Sequence, residues 1–506
     1  MFRIALALCL TAALSAFAQE PASDFSLTVY STADPATFDP QELARQQVMN
    51  PYARWQYQLP GYGVVRETRK IDLNQGTNTV RFADVASGID PTSVSFRSLT
   101  APDATAVVEQ NYEYDVLNSE KLMEKYIGKD VVVLRRLAAN EAPQPFGGKL
   151  LSYDGATMIL ATTDPKQPVM IIPRGTDIAG ILLADSGSGL ITKPTLVWTI
   201  TTPKAGKHDA QVTYQTDGLT WRADYNVLVN EEDTAADIGA WVTLLNQSGA
   251  SYPNSKLKLV AGDVQRVKPV QAQYQNLQFA AGKMRSDAGG FAEKSFFEYH
   301  LYTLERQTSI ANNSTKQIEL FPAHTDVPVS KAYVYYGLPE NMRYWFSPDP
   351  SFDRNLGTQS NKKVDIYLLL TNSEKNGMGM PLPAGRVRVY KRDDADDSTE
   401  FIGEDVIQHT PKDEKVMVRL GSAFDVVGER KQTEFNINEA GHVINESFEI
   451  KLRNHKKEPV TVIVKENLYR WTNWDITKST DKWDKQDYRT IHIPVEVPPD
   501  GEITVT

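Results

Sequence analysis

Strand-like alternation of apolar and polar residues dominates the chain, and long helical periodicity is nearly absent. The clearest case is the stretch TWRADYNVLV at residues 220–229. Arg222 and Asp224 lie two positions apart on one face, where their charges can pair with each other or across strands. The opposite face is continuously apolar, and it carries Trp221, Ala223, Tyr225, Val227 and Val229. The alternation therefore predicts a strand at the core of a sheet, and it splits a motif that looks like a reactive site between two faces.

The same alternation extends over most of the chain. Residues 19–122 predict an N-terminal β domain with a helical insertion at 33–60, where Asp39 can cap a helix that begins at Pro40. Strands then recur at short intervals from 190 to 506, a cadence typical of a β-sandwich. Sequential strands with few helices leave little room for a parallel α/β sheet, so we predict an all-β protein.

Residues 123–185 have a denser turn pattern than the rest. Three or four short strands are separated by glycines, and Asp154-Gly155 between two apolar runs predicts a hairpin. This spacing predicts a small barrel of the SH3-like or Sm-like type. Further along, residues 268–294 show no period and predict a long surface loop.

The first residues have the features of a secretory signal peptide. Arg3 is followed by an apolar run and by the small-residue pattern Ala16-Phe17-Ala18, and the run is too short to span a membrane. We predict cleavage after Ala18, so residues 1–18 are removed and the protein is secreted or periplasmic. Cys9 is the single cysteine of the chain, so the mature protein would have no disulfide and would depend on its apolar cores for stability.

Charge and hydropathy argue against a nucleic-acid partner and against a transmembrane segment. The formal net charge is −10, and lysine and arginine are spread along the chain without a basic block. A nucleic-acid-binding surface needs concentrated positive charge, so we predict no nucleic-acid partner. No apolar run beyond the signal peptide approaches the length of a transmembrane segment.

Several short motifs occur in an order that resembles one bacterial family. They run from Gly218-Leu219-Thr220-Trp221-Arg222-Ala223-Asp224-Tyr225 through Leu259-Val260-Ala261-Gly262-Asp263-Val264 and Pro383-Ala384-Gly385-Arg386-Val387 to Phe424-Asp425-Val426 and Glu429-Arg430-Lys431. The chain resembles secreted proteins that carry the domain of unknown function also found in the C-terminal part of mucoidy-inhibitor-A-like proteins. The resemblance implies an envelope-associated β-protein and supplies no catalytic residues.

An aromatic run near the C-terminus is the best candidate for a ligand surface. Its members are Tyr469, Trp471, Trp474, Asp475 and Trp483. Tryptophans are mostly buried, which favours a sandwich core for this run. The alternative is a glycan platform, because aromatic rings stack on the C–H faces of sugars while carboxylates bind hydroxyl groups. We predict that Tyr469 and Trp471 share one face of a strand and that Trp474 lies on the other, so at most part of the set can be core.

An acidic run between two predicted strands is the candidate metal site. It contains Asp393, Asp394, Asp396 and Asp397, and closely spaced carboxylates on a loop can bind Ca²⁺. The run lacks the glycine and the final glutamate of an EF-hand loop, and charged hairpin tips are common. We predict at most weak calcium binding here, and no other cofactor.

The sequence favours a non-enzymatic role. We predict a binding or scaffold module of the cell envelope, with an envelope protein or a polysaccharide as its partner. The alternative is a cofactor-independent hydrolase that acts on envelope glycan or peptide through paired carboxylates. Glu404 and Asp405 are candidates for such a pair, although neighbours on one strand point to opposite faces.

Overall fold

β strands make up most of the chain. The computed structural model describes residues 24–50, 59–113, 119–136, 141–183, 193–262, 264, 291–296, 299–343, 345, 349–393, 396, 398–438, 440 and 442–506. Three short α helices occur in this part: α1 (Pro40–Met49), α2 (Ser119–Lys125) and α3 (Glu340–Arg343). The prediction of an all-β fold is confirmed.

The chain divides into two compact units, each assembled from separate stretches. Among the described residues, the smaller unit contains 24–25, 65–216 and 248–251, and the larger contains 26–64, 217–247 and those from 252 to 506. The predicted signal peptide, residues 1–18, lies outside the described residues.

Of the described strands, eleven are assigned wholly or mainly to the smaller unit. They are β2 (Gly61–Leu73), β3 (Gly76–Ala83), β4 (Ile89–Ser98), β5 (Ala106–Glu113), β6 (Asp130–Arg135), β7 (Gln144–Tyr153), β8 (Thr157–Ala161), β9 (Val169–Pro173), β10 (Ile178–Leu183), β11 (Thr195–Thr202) and β12 (Gly206–Asp217). β11 lies between β3 and β5. Its Trp198 is fully buried, with ring centroids 5.2 Å from Phe82 and 5.3 Å from Phe96.

The region predicted as a small barrel is an open sheet. Its five strands follow the order β10-β6-β7-β8-β9, and each neighbouring pair is antiparallel. No pairing between β9 and β10 closes the sheet within the described residues, so the predicted barrel is corrected to an open sheet. The predicted hairpin is present, since Asp154 accepts hydrogen bonds from the N–H groups of Ala156 and Thr157 at 2.7 Å. Apolar side chains that include Met158, Leu160 and Ile172 form the core of this five-stranded sheet.

The remaining strands belong to the larger unit. They are β1 (Asp24–Ser31), β13 (Leu219–Val229), β14 (Ala235–Asn246), β15 (Tyr252–Ala261), β16 (Phe291–Phe296), β17 (Tyr299–Leu304), β18 (Thr308–Ile310), β19 (Ser314–Tyr335), β20 (Lys363–Thr371), β21 (Gly385–Arg392), β22 (Thr399–Ile407), β23 (Lys415–Asn438), β24 (Val443–Asn454), β25 (Val460–Asn467), β26 (Asp484–Lys485), β27 (Thr490–Val497) and β28 (Gly501–Val505). β16 takes in the last four residues of the predicted loop 268–294, and residues 265–290 lie outside the described part.

One large sheet organises this unit, in the order β22-β21-β13-β14-β19-β20-β23-β24-β28. β25 joins it beside the second half of β19 and pairs in turn with β27. The sheet curls, so that side chains of β25 and β27 share one apolar core with those of β20, β23, β24 and β28. This arrangement is sandwich-like, as the cadence of strands predicts.

The helical insertion begins where the sequence predicts. Asp39 is the N-cap of α1, and its side chain accepts hydrogen bonds from the N–H groups of Gln41 and Glu42. Pro40 occupies the first helical position, where its missing N–H costs nothing. Residues 51–58 of the insertion lie outside the described residues.

Candidate functional site

The segment between β25 and β27, residues 468–489, carries the predicted aromatic site. Apart from the two-residue strand β26 it has no regular secondary structure. Its two ends meet, because the Leu468 N–H donates to the Arg489 carbonyl at 2.7 Å. In its middle, Trp474 Nε1 donates to the Tyr488 carbonyl at 2.7 Å. These bonds give the aromatic segment, as residues 468–489 are called below, one defined conformation.

Tyr469 belongs to the core. Its ring is buried, and its hydroxyl donates to the Leu356 carbonyl at 3.1 Å. Burial raises the pKa of this phenol. Gly357 closes over the ring with a φ of +72°, and a Cβ on this glycine would lie 2.2 Å from Tyr469 Cζ. A ring packed this tightly has no face for a ligand.

Arg470, the next residue, anchors the aromatic segment. Its Nε donates to Glu446 Oε2 at 2.7 Å, which ties the segment to β24. Its Nη1 donates to the carbonyls of Ser351 at 3.2 Å and Asp353 at 2.7 Å. The guanidinium also lies 4.6 Å from the ring centroid of Phe435 on β23. Arginine suits this place because its planar fork satisfies several acceptors at once.

A second buried ion pair lies beneath the segment. Arg430 Nε donates to Glu466 Oε1 at 2.8 Å, and Arg430 Nη1 donates to the Gly357 carbonyl at 2.8 Å. Both side chains are buried. Burial raises the pKa of Glu466, and Arg430 opposes this rise only in part. The pair fixes the backbone at Gly357, which in turn closes over Tyr469.

Trp474 and Trp483 pack against each other at the surface of the core. Their ring centroids are 6.2 Å apart in an edge-to-face arrangement, and both rings lie on the apolar core of the sandwich-like region. Lys485 Nζ lies 4.7 Å from the centroid of Trp474, within cation–π distance. The pair is half-buried, and its packing on the core stabilises the segment.

Two other rings of the segment are open to solvent. Trp471 is 42 % exposed and Tyr488 is 50 % exposed. Asp475 is also exposed, and so are Thr472 and Asn473 beside Trp471. Exposed aromatic faces next to carboxylate, amide and hydroxyl groups can stack on a sugar ring and bind its hydroxyls.

The structure thus separates the five predicted site residues. Tyr469 is core, Trp474 and Trp483 are half-buried supports, and Trp471 and Asp475 are exposed. The prediction that Tyr469 and Trp471 share one strand face is wrong, because β25 ends at Asn467 and the chain turns at 469–470.

Two residues of this segment, Tyr488 and Arg470, are not among the predicted site residues. Tyr488 is one more aromatic of the same run. Arg470 has no such signal, since its acceptors include backbone carbonyls from a distant loop.

Strand β13, which contains the Trp221-Arg222-Ala223-Asp224-Tyr225 motif, is structural, as its alternation predicts. Trp221 is buried, and its ring lies 6.3 Å from that of Tyr302. On the other face, Arg222 Nη2 donates to Asp224 Oδ1 at 2.9 Å, and Arg222 Nη1 donates to the Phe38 carbonyl at 2.7 Å. Thr243 donates to the second oxygen of Asp224 at 2.7 Å. The arginine and the aspartate therefore hold the start of the helical insertion on the sheet.

Asp39 continues this charge network. Its Oδ1 caps α1, and its Oδ2 accepts from Arg386 Nη1 at 3.1 Å. Burial alone would raise the pKa of Asp39. The N–H groups of Gln41 and Glu42 and the charges of Arg222 and Arg386 together hold the pKa below its ordinary value.

The acidic run is described only in part, since Asp394 and Asp397 lie outside the described residues. Asp393 donates its N–H to the Ser398 carbonyl at 2.8 Å, which closes the turn. Hydrogen bonds from the side chain of Ser398 and from its N–H, the latter at 3.0 Å from Oδ1, lower the pKa of Asp396. In the described part of the chain, no three side chains of His, Cys, Asp or Glu are grouped to hold a metal ion. Weak calcium binding stays a prediction.

Glu404 and Asp405 point to opposite sides of β22. Glu404 Oε2 accepts from Arg388 Nε at 2.9 Å. Asp405 accepts from the N–H groups of Val406 at 2.8 Å and Arg419 at 2.7 Å. Both carboxylates thus accept hydrogen bonds from groups on the sheet, and they do not face one common cleft.

Curled sheets, buried ion pairs and an ordered aromatic segment define an all-β, sandwich-like protein. Residues 210–503 match the DUF4139 family model, described as a domain of unknown function. The match spans more than half of the chain, and the protein belongs to this family. No curated protein and no solved structure matches the chain. Among the described residues, no helix has the length and apolar character of a membrane span. The link to mucoidy-inhibitor-A-like proteins and to secretion stays a prediction.

Proposed function

We propose that this protein is a non-enzymatic binding module of the cell envelope, secreted or periplasmic, and that its aromatic segment binds a polysaccharide. The observation that carries the proposal is the exposure of Trp471 and Tyr488 on a segment that Arg470 anchors from below. Both rings are exposed, with the Arg489 guanidinium 5.4 Å from the centroid of Tyr488, and the neighbouring side chains supply hydrogen-bonding groups.

Rigidity supports a binding role for these rings. A ligand that meets ordered side chains does not have to order them, which lowers the entropic cost of association. The supports are half-buried or buried side chains, and they consist of the Trp474–Trp483 pair and the bonds of Arg470 to Glu446 and to the 351–356 backbone. Long irregular segments that are nonetheless ordered are often functional.

The envelope location rests on the sequence. The predicted signal peptide directs export, and the absence of cysteine after Ala18 is compatible with any redox compartment. The hydrolase alternative gains no support from Glu404 and Asp405, because their structural partners hold them apart.

Native affinity electrophoresis tests the polysaccharide proposal. The protein is run through gels that contain soluble neutral or acidic polysaccharides, and insoluble peptidoglycan is tested by co-sedimentation. We expect retardation or co-sedimentation of the wild type with one of these polymers. The double variant Trp471→Ala/Tyr488→Ala should lose it without loss of thermal stability, because both side chains are exposed.

The chain offers a matched control for these variants. Trp241 on β14 is 40 % exposed and lies outside the aromatic segment, so Trp241→Ala should bind like the wild type. Equal binding by the double variant and the wild type, or no binding of the wild type to any of the polymers, would overturn the proposal. Trp474→Ala and Trp483→Ala are less suitable variants, since both remove support from the core.

A further inference from the structure

A cavity opens inside the curl of the large sheet, away from the aromatic segment in sequence. Its volume is about 260 Å³, and apolar side chains from four strands line it: Val229 of β13, Ile366 and Leu368 of β20, Ile402 of β22 and Leu420 of β23. A water molecule takes up about 30 Å³ in the liquid, so the cavity has room for roughly eight groups of that size. This space suits a short apolar chain.

Three charged side chains also line the cavity. Asp233 lies between two lysines, with Lys331 Nζ 2.7 Å from its Oδ2 and Lys391 Nζ 2.6 Å from its Oδ1. Val229 and Leu368 are almost fully buried, whereas the three charged side chains are partly exposed. The other apolar lining side chains, Ile366, Ile402 and Leu420, are half-buried. Val229 and Leu368 therefore form the deepest part of the floor, and the charged groups lie nearer to solvent.

Asp233 is held in place by the turn that it belongs to. It has a positive φ of 59° in the tight connection between β13 and β14. Asn230 Oδ1 accepts from the N–H groups of Thr234 at 2.9 Å and Ala235 at 3.1 Å, which fixes this connection. A fixed carboxylate fixes both ammonium groups in turn, so the lysines are set in position before any ligand arrives.

The lysines retain donors that this arrangement does not use. An ammonium group has three N–H donors. Lys331 gives one to Asp233, and Lys391 gives one to Asp233 and one to the Glu231 carbonyl at 2.8 Å. The lining side chains carry two positive charges and one negative charge, a net charge of +1. Glu231 and Glu232 precede Asp233 in the same turn and lie outside the lining. Glu458 also acts on Lys331 from outside the lining and reduces the net positive charge without entering the cavity.

We propose that this cavity binds a small amphipathic carboxylate, whose apolar chain lies among Ile366, Leu368 and Leu420 and whose carboxylate accepts from Lys331 and Lys391. Few precisely placed polar groups above an apolar floor are the usual form of a small-molecule site. A cationic head would meet two ammonium groups, and an uncharged chain would gain nothing from them. The charge preference therefore distinguishes this site from a plain apolar cavity.

Calorimetric titration of the full chain tests the site with three probes of equal chain length. Octanoate, 1-octanol and octylammonium differ only in the head group. We expect octanoate to bind most tightly and octylammonium not to bind. Lys331→Gln and Lys391→Gln should each weaken octanoate about tenfold, since each removes a charge-assisted hydrogen bond.

Two further variants complete the experiment. Ile402→Phe adds volume at a half-buried lining position and should abolish octanoate binding. Lys412→Gln serves as the control, because Lys412 pairs with Glu374 at 2.7 Å on another part of the surface and should leave binding unchanged.

The titrations of the wild type with the three probes test the proposed site even if a variant fails to fold. Absence of octanoate binding, or binding of octylammonium as tight as that of octanoate, would overturn the inference. The result is independent of polysaccharide binding, because none of the cavity residues belongs to the aromatic segment.

Discussion

Arg470 and Glu446 form the ion pair that ties an irregular aromatic segment to a long β hairpin, with 2.7 Å between Nε and Oε2. The hairpin consists of β23 and β24, paired from Val426 and Asn454 to Asn438 and Val443. Because the same guanidinium also binds the backbone at 351–356, one side chain joins three parts of the larger unit. Removal of the Arg470 side chain should therefore destabilise the protein by more than the loss of one contact.

Arg470→Met should lower the free energy of unfolding by about 3 kcal/mol, because it removes the charge partner of Glu446 and a donor to three partly buried carbonyls. Urea denaturation followed by tryptophan fluorescence measures the change. Arg453→Met is the matched control, since Arg453 is partly exposed and lies 3.4 Å from Glu429. Exposed pairs of this kind contribute less than about 1 kcal/mol. Equal losses in both variants would contradict the anchoring role of Arg470.

Trp221→Ala should cost about 3–5 kcal/mol as the truncation of a buried aromatic side chain. Its ring packs edge-on against Tyr302 and has no exposed face to offer a ligand. Thermal and urea denaturation check the prediction. Trp241→Ala, at an exposed position, should stay within about 1 kcal/mol of the wild type. A Trp221→Ala protein as stable as the wild type would support a functional role for the motif at residues 221–225.

Gly357→Ala should cost about 2–4 kcal/mol, because the left-handed backbone disfavours any side chain and the new methyl group meets a buried ring. The closest contact would be to Tyr469 Cζ at 2.2 Å. Gly377 separates the two effects, since it has a φ of +76° and nothing within 4 Å of an added Cβ. Gly377→Ala should therefore show only the backbone cost, about 1 kcal/mol. Similar losses in the two variants would show that Tyr469 moves aside.

Asp39 should give the protein a pH-dependent contribution to stability. Its pKa is lowered in the folded state, so the contribution is present above about pH 4, the ordinary value for aspartate, and is lost as the pH falls through the folded pKa. Asp39→Asn keeps a good N-cap but removes the charge that Arg386 and Arg222 face. It should cost about 1 kcal/mol at pH 7, less than Asp39→Ala, which loses the cap as well.

The test compares unfolding free energies of wild type and Asp39→Asn between pH 6 and pH 3. The difference between the two proteins should shrink as the pH falls. A difference that is constant over this range would mean that the carboxylate is not the group that matters.

Local chemistry explains which parts of the fold could be predicted. The alternation around Trp221 and Arg222 assigns each side chain to a face, and the structure confirms it. Asp39 before Pro40 predicts the start of α1, because cap chemistry needs only neighbouring residues. Asp154-Gly155 predicts its hairpin for the same reason.

The features that could not be predicted depend on residues far apart in sequence. Alternation predicts which face of a strand each side chain occupies, but it does not predict which strand lies beside it. The parallel pairing of Ala223 with Gly385 therefore has no local signal in the sequence. The open sheet at 130–183 shows the same limit, since turn spacing gives strands without telling whether the first and last ones meet. At Arg470, the acceptors lie in a loop more than a hundred positions earlier, and no pattern around the arginine indicates them.

The parallel pair of β13 and β21 also constrains how the chain can be made. During synthesis, β13 gains its antiparallel partner β14 almost at once, but its other edge stays open until the ribosome has passed Arg392. Through all that time a strand bearing a tryptophan and a tyrosine exposes unpaired backbone to other chains. The folding of this sheet can therefore be completed only after the second half of the chain has emerged.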